Sequence, residues 1–98
     1  MWYAQKLLKY NTINNMEEIR QWIIDWFASH SSLSVAELDA VSKEDYLKKA
    51  IIDSFAFVML ISEIDDEFDV AFTNDDFLDS RFPTIDGLAT MINERIQN

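Results

Sequence analysis

The chain has no cysteine, one glycine, one proline and a single histidine among its 98 residues. Without cysteine it has no disulfide, no zinc ribbon and no thiol nucleophile of its own. His30 alone leaves little for histidine-based catalysis and nothing for a multi-histidine metal site. One glycine and one proline are too few for a turn-rich β-sandwich or a glycine-rich nucleotide loop. No apolar run approaches the roughly 20 residues that span a bilayer. Positive charge is scarce as well: eight Lys and Arg stand against eighteen Asp and Glu, for a net charge of −10. That balance argues against nucleic acid or an anionic membrane as partner, because both present phosphate-rich surfaces.

What is present points to a folded helical domain. Apolar residues make up 49% of the chain, enough for a core, and the length suits one compact domain. The acids are unevenly placed. Residues 1–15 carry +2, residues 16–52 carry −3 and residues 53–98 carry −9. From Asp53 to Ser80 there are nine acids and no base. Such a block is either a solvated face or an electrostatic docking face for a basic partner. A calcium loop of the EF-hand type is excluded, since no window from Asp65 to Asp79 has the central glycine and ligand alternation it needs.

Residues 1–15, with Trp2, Tyr3, Leu7 and Leu8, are too short and polar for a secretory signal. They read as an N-terminal extension (an arm, an extra helix or the product of an upstream start codon) ahead of a helical domain at 16–98. The first strong helix is expected from Met16 to Ser29, capped by Asn15 with Glu18 as its capping-box partner. Met16, Ile19, Trp22, Ile23, Trp26 and Phe27 share one side of it, with Ile24 as the outlier. The two tryptophans read as core. His30, at the exit of that helix, stabilises its C-terminus or is solvated.

A long polar stretch follows, pinned by Leu33, Val35, Leu38, Val41, Tyr46 and Leu47, with short helical turns near Val35–Leu38 and Glu44–Leu47. A second strong helix runs from Asp53-Ser54 to Phe68, and a short acidic element lies around Asn74–Leu78. The last helix begins near Thr84, just after the only proline, with Gly87 in its first turn allowing a neighbouring helix to approach. The expected fold is therefore all-α: an antiparallel bundle of three longer helices and one short one, with a long ordered loop between the first two.

On a wheel of the second helix, Leu60, Ile64, Phe57, Phe68, Ile61 and Val58 form a broad core stripe. Phe55 and Met59 fall outside it, among Ser62, Glu63, Asp66 and Glu67. Either the long loop folds over this pair, or the pair is an apolar docking spot rimmed by carboxylates.

Here the sequence resembles a known family. Ile52-Asp53-Ser54-Phe55, opening an amphipathic helix that ends in Asp65-Asp66-Glu67-Phe68-Asp69, is similar to the phosphopantetheine attachment segment of acyl carrier proteins. The similarity continues through Phe72, Asp75-Asp76 and Pro83-Thr84-Ile85-Asp86, and covers roughly residues 16–96. By this resemblance Ser54 is the serine that takes the 4′-phosphopantetheine arm from coenzyme A, and Asp53 is the acid just before it. Phe55, Met59, Ser62, Glu63, Asp65 and Asp66 fall on the helix that partner enzymes recognise.

The resemblance implies a carrier rather than an enzyme, holding acyl or aminoacyl groups as thioesters on the thiol of the arm. The partners implied are a phosphopantetheinyl transferase, a loading ligase or transferase, and synthase or condensation enzymes with basic patches. A free-standing cytoplasmic monomer without a membrane span is expected. Physical chemistry agrees at the site, since a phosphodiester at a helix N-terminus gains about 0.3–1 kcal/mol from the helix dipole. The residues equally allow a simple cap at Asp53 or Ser54.

Two departures from the family pattern stand out. Ala50 replaces a glycine common in relatives, which puts the local loop shape in question. Phe57 and Met59 make the helix start more apolar than in fatty-acid carriers, so a less purely basic partner surface is expected. The segment is also similar to D-alanyl and other aminoacyl carriers. The alternative to a carrier is an unmodified helical adaptor that uses the same acidic and apolar face only to bind protein.

Overall fold

The computed structural model describes residues 15–97. The expected extension lies outside the described residues except for Asn15. Five helices follow in order: α1 (Met16–His30), α2 (Val35–Ala40), α3 (Ser54–Phe68), α4 (Asn74–Phe77) and α5 (Ile85–Gln97). There is no strand among the described residues. The all-α expectation holds, with three long helices and the short α4, and the turn expected near Val35 is a helix in its own right.

Each helix begins where a short polar side chain can take up a free backbone N–H. Asn15 accepts from the Glu18 N–H at 2.9 Å. Ser34 and Glu37 close a reciprocal capping box on α2, and Thr73 and Asp76 do the same on α4. The Thr84 hydroxyl accepts from the Gly87 N–H at 2.9 Å at the head of α5. At the far end of α1, His30 Nδ1 donates to the Trp26 carbonyl at 2.7 Å, and its ring stacks on the Trp26 indole. The histidine thus caps helix α1.

Helix α1 packs against α5 and α2. Because it is covered on two sides, its buried face is wider than a single stripe. Ile24, the outlier on the wheel, is buried with Ile19, Ile23, Trp26 and Phe27. Trp26 is core as expected, and the half-buried Trp22 meets Phe68 edge-on at 5.1 Å. The α3 stripe is narrower than the wheel suggests. Leu60, Ile64 and Phe68 are buried, Phe57 and Ile61 are half-buried, and Val58 is 66% exposed. Val58 points about 120° from the middle of the buried i, i+4 line, beyond what one layer of neighbours covers.

The long connection is held by two fastenings. Tyr46 donates its backbone N–H to the Pro83 carbonyl at 2.9 Å and its hydroxyl to the Phe82 carbonyl at 2.7 Å. Its ring lies among Phe27 and Phe57, and burial raises the phenol above its ordinary pKa. The second fastening is Arg20, which reaches Asp86 at 2.6 Å, Ser42 at 3.0 Å and Asp39 at 2.7 Å, joining α1, α2 and α5. Leu38 and Tyr46 are buried pins, whereas Val35 and Leu47 are exposed. Leu47 follows Tyr46 in a single helical turn, so only one of the two can face inward.

Gly87 does allow a close approach, but not by a neighbouring helix. A Cβ there would stand 2.0 Å from the Arg81 carbonyl oxygen and 2.6 Å from Thr84 Oγ1. The turn before α5 folds directly over its first residues. Gly87→Ala is therefore expected to cost on the order of 2–3 kcal/mol, since backbone must shift to admit the methyl group. Urea unfolding would show a lower midpoint at unchanged slope.

Asp76 closes the α4 cap, accepting from the Thr73 N–H at 2.7 Å, and pairs with Arg95 of α5. Burial opposes its charge, but the Thr73 N–H, Arg95 and the Thr73 hydroxyl together hold its carboxyl below the ordinary 3.8. Hydrogen bonds from Arg81 lower Asp79 to about 2. Both folded pKa values lie below the unfolded ones, so this stabilisation is complete above the ordinary carboxylate pKa and is lost as pH falls through the folded values. The melting temperature should fall with acidification below about pH 4. Asp76→Asn should lower stability at neutral pH and shrink that acid limb.

Candidate functional site

The segment leading into α3 is built from local hydrogen bonds. Asp45 Oδ1 accepts the N–H groups of Leu47 and Lys48 at 2.9 Å, opening one helical turn. That turn closes in a Schellman pattern: the Ile51 N–H bonds the Tyr46 carbonyl at 3.0 Å, and the Ala50 N–H bonds the Leu47 carbonyl at 3.1 Å. The pattern places Ala50 in the left-handed region, at φ 54°. The sequence departs from the family's glycine here, yet the backbone keeps the conformation that glycine favours. An L-residue holds it at a cost of about 1–2 kcal/mol.

Ile52 is then buried and anchors the chain immediately before the Asp-Ser pair. Asp53 is the N-cap of α3, its Oδ1 accepting from the Ala56 N–H at 2.8 Å. Of the two residues that could have capped this helix, Asp53 does so. Ser54 becomes the first helical residue, exposed, with its hydroxyl in no hydrogen bond. It stands where helix N–H groups lack intrahelical acceptors and the dipole is positive. An anion joined to that oxygen would meet favourable partial charges.

The remaining sequence-derived residues are distributed along α3. Phe55 is 75% exposed and Met59 is 38% exposed, so the long loop does not cover them. Ser62, Asp65 and Asp66 are exposed. Glu63 is half-buried, and its carboxylate accepts from the Trp26 indole N–H at 2.8 Å, tying α3 to α1. Phe55, Met59, Ser62 and Asp66 thus share the outward face, while Glu63 turns toward the bundle.

Beside this face lies a feature that helical spacing did not reveal. A groove of about 400 Å³ runs between α3 and the 71–77 segment, lined by Phe57, Val58, Ile61, Ala71, Phe72 and Phe77, with Ser62 and Asp65 beside them. The exposed Val58 lies on its α3 side. Its 120° offset from Leu60, Ile64 and Phe68 was the sequence signal that could have placed it outside the core.

Comparison with protein families matches residues 31–92, more than half of the chain, to the model described as phosphopantetheine attachment site. The chain belongs to the phosphopantetheine attachment site family. No curated protein sequence and no solved structure matches it. Members of this family carry 4′-phosphopantetheine covalently. The exposed, unpartnered Ser54 hydroxyl at a helix N-terminus fits that group, with open space on the outward side of α3.

The family-typical glycine can be restored directly. Ala50→Gly relieves the left-handed strain but returns entropy to the unfolded chain, so a net gain of up to about 1 kcal/mol is expected. Chemical denaturation of the variant beside the natural chain measures it. A loss of stability would mean that Ala50 is not held in this conformation in solution.

Proposed function

We propose that this phosphopantetheine carrier is loaded at Ser54 and delivers acyl or aminoacyl groups to partner enzymes without catalysing a reaction itself. The observation that carries the assignment is the division of labour at the head of α3: Asp53 takes the cap, leaving the Ser54 hydroxyl exposed and unpartnered. Asp53 fixes the helix start and so holds the Ser54 oxygen at the positive end of the dipole. When attached, the arm supplies a thiol on which cargo is held as a thioester. The protein's own residues position, steer and release; a cytoplasmic, monomeric carrier suits that role.

Docking is assigned to Phe55, Met59, Ser62, Asp65 and Asp66, with Glu63 contributing at the edge where it meets Trp26. The partners are a phosphopantetheinyl transferase, a loading ligase or transferase, and downstream synthase or condensation enzymes with basic patches. Two exposed apolar side chains among acids favour a small contact, reached by electrostatic steering and readily released. A large apolar interface would slow turnover between enzymes.

Incubation with coenzyme A, Mg²⁺ and a broad-specificity phosphopantetheinyl transferase, followed by intact-mass measurement, tests the proposal. The natural chain and Ser62→Ala should each gain one phosphopantetheine, and Ser54→Ala none. No gain by the natural chain would favour an unmodified adaptor, and an equal gain by Ser54→Ala would move the attachment elsewhere.

A further inference from the structure

The groove between α3 and the 71–77 segment is not accounted for by attachment at Ser54. Its lining is apolar except for Ser62 and Asp65, and it opens at the surface, where Val58 is 66% exposed and Phe77 is 42% exposed. Leu78, next to Phe77 in the chain, is 83% exposed. Inward from the groove the space is already filled. Phe57, Phe72 and Phe77 each pack edge-on against Phe82, with ring centres 4.9–5.7 Å apart. The opening therefore faces solvent rather than leading into the bundle.

Charge selects the occupant. Nine acids and no base lie between Asp53 and Ser80, the stretch that supplies every wall of the groove. Asp65 stands beside the apolar lining and is exposed. An uncharged hydrocarbon gains nothing from that carboxylate, whereas a side chain flanked by Lys or Arg gains from both surfaces at once. A small apolar pocket with an opposite-charge rim is the usual form of an anchor site.

We infer that the groove receives one large apolar side chain of a partner protein, with neighbouring Lys or Arg residues paired to Asp65 and the surrounding acids. The need for a partner rests on the carrier reading; the groove itself does not require Ser54 to be modified. This contact adds Val58, Ala71, Phe72 and Phe77 to the α3 face that carries Phe55 and Met59. The partner grips both α3 and the segment after it, so orientation is fixed as well as position.

The test uses the unmodified chain and an acetylated Lys-Arg-Ala-Phe-Ala-Arg-Lys peptide, followed by amide chemical shifts in NMR. Shifts are expected at Val58, Ile61, Ala71, Phe72 and Phe77, growing weaker as salt is raised. Replacing the peptide Phe by Ser should weaken binding about tenfold or more. Ala71→Trp, at an exposed position, should fill the groove and abolish these shifts while the melting temperature holds; Val58→Gln should weaken them.

Equal binding by the Ser-containing peptide, shifts confined to Phe55, Met59 and Asp66, or shifts that survive Ala71→Trp would each overturn the inference. So would groove amides that respond only when octanoyl-phosphopantetheine is loaded on Ser54, since the groove would then belong to cargo. Failure of Ser54 to accept phosphopantetheine leaves the peptide result intact, so the two proposals fail separately.

Discussion

Tyr46 is the contact on which the placement of Ser54 depends. One residue supplies a backbone bond to Pro83, a hydroxyl bond to Phe82 and a ring between Phe27 and Phe57. A connection without regular structure can be ordered only if its backbone groups find partners, and this residue brings them to the turn before α5. The same residue then offers its carbonyl to Ile51, closing the turn that aims the chain at Asp53. Core packing and site geometry thus meet in one side chain. The buried phenol is stabilised by its bond to the Phe82 carbonyl, which is why it can lie so deep.

From that point the order of events along the chain is local. A helical turn ends in a left-handed residue, an apolar anchor follows, and an aspartate caps the next helix. Each step consumes a backbone or side-chain group, until Ser54 is left with a free hydroxyl. Function here arises from what its neighbours have already satisfied. The strain at Ala50 belongs to the same sequence of steps, since a relaxed backbone there would send Ile51 and Ile52 in another direction.

Much of this was legible in the sequence because it is written in short-range chemistry. Caps, the proline before α5 and the apolar spacing placed the helices, and the Asp-Ser-Phe segment singled out Ser54. Features that depend on neighbours far along the chain were not legible. Ile24 is buried because two elements cover α1, and Val58 is exposed because too little covers α3; a wheel contains neither fact. Glu63 bonding Trp26 across 37 positions is likewise invisible to any pattern of spacing. The groove arises from where the 71–77 segment comes to rest, which no local rule encodes.

Helix α3 also runs against the ordinary placement of charge. Beyond its cap it has no acid in its first turn and no base in its last, while Glu63, Asp65, Asp66 and Glu67 gather toward the negative end of its dipole. In the isolated protein this is electrostatic frustration, with each such charge disfavoured by a few tenths of a kcal/mol or more. A cationic surface laid along the helix relieves that tension besides forming its own contacts. Small ions relieve part of it too, so ionic strength acts in opposite directions, steadying the solitary helix while loosening its hold on a cationic neighbour.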